Sequence, residues 1–127
     1  MNKAQAEVRQ SPLLTYEDTN AHHKMDYLKS IVKETLRLHP PIPLLPRESR
    51  ERCEIDGYGL PAKTKAIINL WALARDPEQW GDDADSFKPE RFLHDSMTAK
   101  INFRGSDFEL IPFGSGRRIC PGMSFAN

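Results

Sequence analysis

Only two cysteines, Cys53 and Cys120, occur in the 127 residues, in unrelated contexts, which excludes a disulfide framework. Net charge is lacking as well. Eighteen lysines and arginines balance 18 aspartates and glutamates, and the basic residues are scattered among acids, so there is no stripe suited to nucleic acid. The run RESRERCE from Arg47 to Glu54 reads as a solvated surface. No stretch reaches the roughly 18 consecutive apolar residues of a membrane span, and no charged-then-apolar leader opens the chain. Of the four histidines, His22, His23, His39 and His94, none has a zinc spacing with a cysteine or histidine pair. Ser115 and Ser124 lack the G-x-S-x-G context of a hydrolase nucleophile. No internal repeat or low-complexity tract is present.

What is there reads as ordinary globular sequence, with 39% hydrophobic and 28% charged residues. From Met25 to Leu38 the positions Tyr27, Leu28, Ile31, Val32, Thr35, Leu36 and Leu38 keep mostly to i, i+3 and i+4 spacing, which predicts an amphipathic helix. The run PPIP from Pro40 to Pro43 ends it, because proline lacks an amide donor and forces the preceding residue into extended geometry. Leu44 to Glu48 then suits a strand. The dipeptide Asp56-Gly57 in Cys53 to Tyr58 marks a turn, and the alternation in Lys65 to Leu70 marks another strand, with Cys53 a structural thiol on a strand. WALARDP suits a short helix that stops at Pro77, followed by a polar, proline-punctuated stretch to Pro112. Both ends read as cut: NKAQAEVRQ is a helix former that only Asn2 would cap, weakly, and SFAN opens a further helix.

The chemistry concentrates in FGSGRRICPG, residues 113 to 122. Glycines there allow positive φ and close approach to a flat ligand, while Arg117 and Arg118 supply fixed positive charge that favours an ionised Cys120 sulfur. Two other readings compete. The loop could cradle a phosphate, although G-x-x-x-x-G-K-[ST] is absent, or Cys120 could be a buried structural thiol. Upstream, Glu34 and Arg37 stand three residues apart on one helical face and can pair, as many surface ions do.

The pattern F-x-x-G-x-R-x-C-x-G, filled by Phe113, Gly116, Arg118, Cys120 and Gly122, resembles the proximal haem-ligand loop of the cytochrome P450 family. Glu34-x-x-Arg37, followed by leucine, histidine and proline, and then Pro89-Glu90-Arg91-Phe92 in FKPERF, resemble that family's other two motifs, in the same order. WALARDP, FKPERF and PFGSGRRICPG together look like plant microsomal members. The resemblance implies a mainly α fold with a small β-region. The chain would be a single partial domain over 1–127, the C-terminal part of the cytochrome P450 fold. Within it the E-x-x-R helix takes 25–38, the β-region 44–70, the P-E-R-F segment 89–92 and the haem-ligand loop 113–122.

It further implies haem b with Cys120 as the axial thiolate, a structural cluster of Glu34, Arg37 and Arg91, and propionate pairing by Arg118 and Arg47. Arg117 fills a position the family pattern leaves free. Phe113 would pack beside the sulfur, with a plain core phenylalanine as the alternative. Ile42 to Leu45 would line an apolar substrate pocket, with a buried strand as the alternative. For the parent protein the resemblance implies a monooxygenase inserting one oxygen atom from O2 into an apolar small molecule, a plant secondary metabolite. Electrons would come from NADPH through NADPH-cytochrome P450 reductase, at the cytosolic face of the endoplasmic reticulum, with membrane association through an N-terminal anchor outside this sequence. The alternative is a truncated, non-catalytic remnant that binds haem weakly or not at all.

Overall fold

The computed structural model describes residues 2–10, 25–93 and 96–125. Two helices come first, α1 (Asn2–Gln10) and α2 (Asp26–Leu38), followed by strands β1 (Leu44–Glu48), β2 (Cys53–Ile55), β3 (Tyr58–Leu60) and β4 (Lys65–Asn69). Two one-turn helices, α3 (Leu70–Leu73) and α4 (Pro77–Trp80), lead into 3-10 turns at Pro89–Phe92, Gly116–Arg118 and Pro121–Phe125. No helix among the described residues is long and apolar enough to cross a membrane.

The strands form two antiparallel pairs. β1 lies on β4 with Leu44 opposite Asn69 and Glu48 opposite Lys65, and β2 lies on β3 with Ile55 opposite Tyr58. Asp56 and Gly57 join the second pair with φ of 51° and 79°. A two-residue type I′ turn requires two successive positive φ values, and Asp-Gly meets that requirement at low cost. Cys53 is on a strand but exposed, so it packs as surface rather than as a buried structural thiol. Its strand has no buried position at all.

The sequence places a helix stop at Pro77, whereas the structure starts one there. α3 ends earlier, at Leu73, and Asp76 accepts a hydrogen bond from the Glu78 amide at 3.0 Å while Pro77 takes the first helical turn. Proline is tolerated there because the amide it lacks would have no partner in any case. Asn69 caps α3 in the same way, accepting from the Ala72 amide at 3.0 Å. These caps point Trp80 inward, where it forms the core with Ala84, Phe92 and Leu110, and Ile101 and Phe103 pack against it. Trp80 meets Phe92 edge to face with ring centres 5.9 Å apart, the geometry aromatic quadrupoles favour.

Helix α2 buries a different face from the one its apolar spacing marks. Its buried residues are Ser30, Glu34, Arg37 and Leu38, while Val32 is 40% exposed. The buried stripe follows helical spacing but is mostly polar, so what it buries must be paired by other parts of the chain. α1 buries nothing and attaches through polar contacts. Both carboxylate oxygens of Glu7 accept from the first amides of α2, Tyr27 at 3.0 Å and Leu28 at 2.9 Å. Met25, at the N-cap of α2, supplies no side-chain bond, so Glu7 satisfies donors that would otherwise be orphaned.

Candidate functional site

Glu34 is fully buried, as is Arg37, and Arg91 is nearly so. Oε1 of Glu34 takes three donors: Nη2 of Arg37 at 2.8 Å, the Lys88 amide at 2.9 Å and Nε of Arg91 at 3.1 Å. Oε2 takes Nε of Arg37 at 2.8 Å. The contact between Arg37 and Glu34 is therefore bidentate, the strong form of a charge-assisted pair. Burial pushes the Glu34 carboxyl up, but the Arg37 hydrogen bonds, the Lys88 amide and the two guanidinium charges outweigh it and hold the group below the ordinary carboxylate range. This geometry excludes the surface ion pair that the i, i+3 spacing alone allows.

The remaining arginine donors go to backbone carbonyls. Nη1 of Arg37 donates to Ala74 and, at 2.7 Å, to Ala84, and its Nη2 donates to Ser86 at 3.3 Å. Arg91 donates to the carbonyls of Trp80 and Asp83, both at 3.1 Å, and to the Asp83 carboxylate at 3.3 Å. The Lys88 hydrogen bond, burial and the Arg91 charge act on that carboxyl, and the net result lies below its usual range. Between α3 and the 89–92 turn, two guanidiniums thus satisfy the carbonyls of Ala74, Trp80, Asp83, Ala84 and Ser86 alongside the bonds of the short helix and turns. The Arg37 guanidinium also lies over the Trp80 ring, 5.0 Å from its centre, joining the ionic cluster to the apolar core.

The 113–122 loop lies elsewhere on the molecule and faces outward. Cys120 is a free, exposed thiol, which rules out the buried structural cysteine. Its amide donates to the Phe113 carbonyl at 3.0 Å, closing the loop into a ring. Gly114 and Gly116 have φ of 75° and 72°, conformations that favour glycine. Gly116 has open space where a Cβ would point, and a Cβ on Gly122 would stand 3.6 Å from the Cys120 sulfur. Arg117 and Arg118 are exposed. Arg47, on β1, is half-buried, and its guanidinium lies 3.5 Å from where a Gly114 Cβ would be. Strand and loop therefore meet at Arg47 and Gly114. Phe113 is half-buried and packs edge to face on Phe103, 5.9 Å between centres. Ile42 and Leu44 are each about half exposed, so they do not form a buried strand.

Sequence reasoning missed three contributors. Lys33 donates to the carbonyls of Ile101 at 2.7 Å and Ala99 at 3.2 Å and lies over the Phe92 ring, with burial pushing its ammonium down and Asp107 opposing that. Glu7 and Trp80 are the other two, and all three depend on partners distant in sequence. His22, His23 and His94 lie outside the described residues. Among the described residues no three of His, Cys, Asp and Glu are grouped to hold a metal ion. An open groove of about 680 Å³ between β4 and the short helices, lined by Ile68, Trp71 and Arg75 among others, includes no residue of the loop.

The chain is similar to known proteins in sequence and in fold. "Cytochrome P450 71D10" of Glycine max is 60% identical over 128 residues, and premnaspirodiene oxygenase of Hyoscyamus muticus is 58% identical over 126. These alignments cover 99% and 97% of this chain but 24% of each relative, so the chain spans about a quarter of the length of the curated relatives it matches. Among solved structures, a zebra fish cytochrome P450 with abiraterone superposes with a TM-score of 0.79 at 29% identity, covering 98% of this chain and 28% of that one. Retinoic acid-bound cyanobacterial CYP120A1 gives 0.78 at 30% identity, with the same coverage. The fold, mainly helical with small antiparallel sheets, matches the pattern of those structures. A cytochrome P450 profile matches residues 2–127, and on that match the chain belongs to the cytochrome P450 family.

Proposed function

We propose that this chain is the C-terminal, haem-holding portion of a plant haem-thiolate monooxygenase, with Cys120 the axial ligand. The observation that carries this reading is an exposed, free thiol on a loop closed by its own amide, with guanidiniums nearby that have no carboxylate partner among the described residues. Such a donor set suits a flat, dianionic macrocycle: one soft sulfur for iron, arginines for two propionates, and glycine positions that leave room for close approach. When bound, haem supplies the oxygen chemistry, and a thiolate ligand raises electron density on iron in favour of O–O cleavage. Arg118 and Arg47 would hold the propionates, Gly116 and Gly122 would keep the backbone clear of the ring, and Phe113 would limit water around the sulfur. Glu34, Arg37 and Arg91 would act structurally, fixing the 74–91 segment, and would touch no reacting atom.

The whole protein would insert one oxygen atom from O2 into an apolar plant secondary metabolite, a reading that relatives named premnaspirodiene oxygenase and 5-epiaristolochene 1,3-dihydroxylase support. NADPH would serve through NADPH-cytochrome P450 reductase at the endoplasmic reticulum membrane. In the reduced, carbon monoxide-bound full-length protein, Cys120→Ser abolishes the red-shifted Soret band that thiolate ligation gives, and Cys53→Ser leaves it intact. An unchanged band in Cys120→Ser overturns the assignment.

A second reading concerns the 127-residue chain by itself: a non-catalytic remnant that holds haem weakly or not at all. It is favoured by the exposure of the whole Gly116–Arg118 turn and Cys120, and of apolar side chains such as Ile67 at 68% and Trp71 at 51%, an extent of bare apolar surface that complete domains cover. The purified chain, on this reading, binds ANS and oxidises nothing with reductase and NADPH, and turnover above a haem-only control refutes it.

A further inference from the structure

The segment just before the cysteine loop packs against it at close range. Asn102 and Asp107 close this segment into a ring, the amide and the side-chain Nδ2 of Asn102 each donating to Asp107 Oδ2 at 2.7 Å, while the Arg104 amide donates to Asn102 Oδ1 at 2.8 Å. Gly105 stands within that ring with φ of 86°. A Cβ placed on it would lie 2.8 Å from Ile119 Cδ1, 3.2 Å from the Gly114 carbonyl oxygen and 3.3 Å from Ser115 Cα. The last two are backbone atoms of the loop and cannot swing aside. Ser115 Oγ donates to the Gly105 carbonyl at 2.6 Å, and Phe103, two residues before Gly105, carries the edge contact to Phe113. Lys33, on α2, holds the carbonyl of Ile101, just before the ring.

We propose that Asn102–Asp107 is a shelf that positions the thiol, and that Gly105 is its positioning residue, setting Ile119 and through it the neighbouring Cys120. The inference rests on Cys120 being the axial ligand. Two independent features require glycine at 105. Its backbone conformation strains any side chain, and the space a side chain needs is taken by the ligand loop itself. Gly57 separates the two effects, because it has the same kind of backbone, φ 79°, with nothing within 4 Å of where a Cβ would go.

The test compares Gly105→Ala, Gly57→Ala and Ser115→Ala with wild type in the haem-loaded, full-length protein, reading the reduced carbon monoxide spectrum and the reduction potential of the folded fraction. Gly105→Ala shifts the potential and loses part of the red-shifted Soret band, and adding Ile119→Val, which removes the Cδ1 atom, restores part of both. Gly57→Ala lowers stability and moves neither. Should Gly105→Ala fail to load haem, Ser115→Ala decides, since it deletes the hydrogen bond to Gly105 without adding an atom and shifts the potential in turn. Wild-type potential and spectrum in folded Gly105→Ala, or in Ser115→Ala where Gly105→Ala does not load, overturn the proposal. A wild-type protein without the red-shifted band fails the ligand assignment itself, a separate outcome.

Discussion

Replacing Glu34 with glutamine keeps the side-chain shape and removes one charge, which isolates the electrostatic role of the buried cluster. Glutamine has one acceptor oxygen where the carboxylate has two. If that oxygen takes the Oε1 position, with its three donors, the amide nitrogen must sit where Oε2 receives Nε of Arg37 at 2.8 Å, donor facing donor. The reverse flip is worse, because the amide then opposes three donors. In either case Arg37 remains buried with carbonyl partners and no neutralising charge, and Arg91 keeps only the half-exposed Asp83 carboxylate at 3.3 Å. Loss of one partner from a buried ion pair costs about 3–5 kcal/mol, against a total stability on the order of 5–15 kcal/mol for a domain.

Urea unfolding followed by tryptophan fluorescence reads this loss directly, since Trp80 lies under the Arg37 guanidinium. With a urea slope of about 2 kcal/mol per M, a 4 kcal/mol loss lowers the midpoint by roughly 2 M. In an Arg91→Met background the same Glu34→Gln change costs less, because one of the uncompensated cations is already gone and the two effects are coupled through a shared partner. A Glu34→Gln midpoint within about 0.3 M of wild type, or full additivity with Arg91→Met, refutes the account of the cluster as a charge-compensated unit.

Acid has a predictable sign at the same residue. The folded Glu34 carboxyl is held below its ordinary value, so its stabilisation is complete above the unfolded pKa of about 4.3 and is lost as pH falls through the lower folded value. Stability measured from pH 7 downward therefore drops more steeply below about pH 4 in wild type than in Glu34→Gln. At the other end of α2, Glu7→Ala removes both acceptors from the Tyr27 and Leu28 amides. By analogy with helix caps it costs about 1 kcal/mol, and hydrogen exchange at those two amides accelerates while exchange at Arg37 does not.

The elements written in local signals were legible in the sequence. Asp56-Gly57 dictates its own hairpin turn, the prolines after Leu38 end α2 where they should, and the Leu44–Glu48 and Lys65–Asn69 runs are strands. Where the expectations failed on burial, the deciding partner lay far along the chain. Apolar spacing marks Ile31 and Val32 as the inner face of α2, yet Glu34 and Arg37 go inside because Lys88, Arg91 and the carbonyls of residues 74–86 are there to receive them. Pro77 carries the same local chemistry whether it ends a helix or begins one, and the Asp76 cap decides. No local signal shows that Gly105 stands against the 113–122 loop, because the atoms crowding it belong to Gly114, Ser115 and Ile119.

The apolar core is small for the work of holding an outward-facing loop: Trp80, Ala84, Phe92 and Leu110 form its cluster. What fixes the surrounding segments is hydrogen bonding from cations to carbonyls, by Arg37, Arg91 and Lys33. A guanidinium offers five donors in a rigid plane, and Arg37 uses all of them on Glu34, Ala74, Ala84 and Ser86. Lysine has three donors on a single nitrogen and cannot span a carboxylate on one side and three carbonyls on the other. Arg37→Lys, which keeps the charge, therefore strands buried carbonyls in the segment that positions Arg91. Geometry as well as charge fixes arginine at this position.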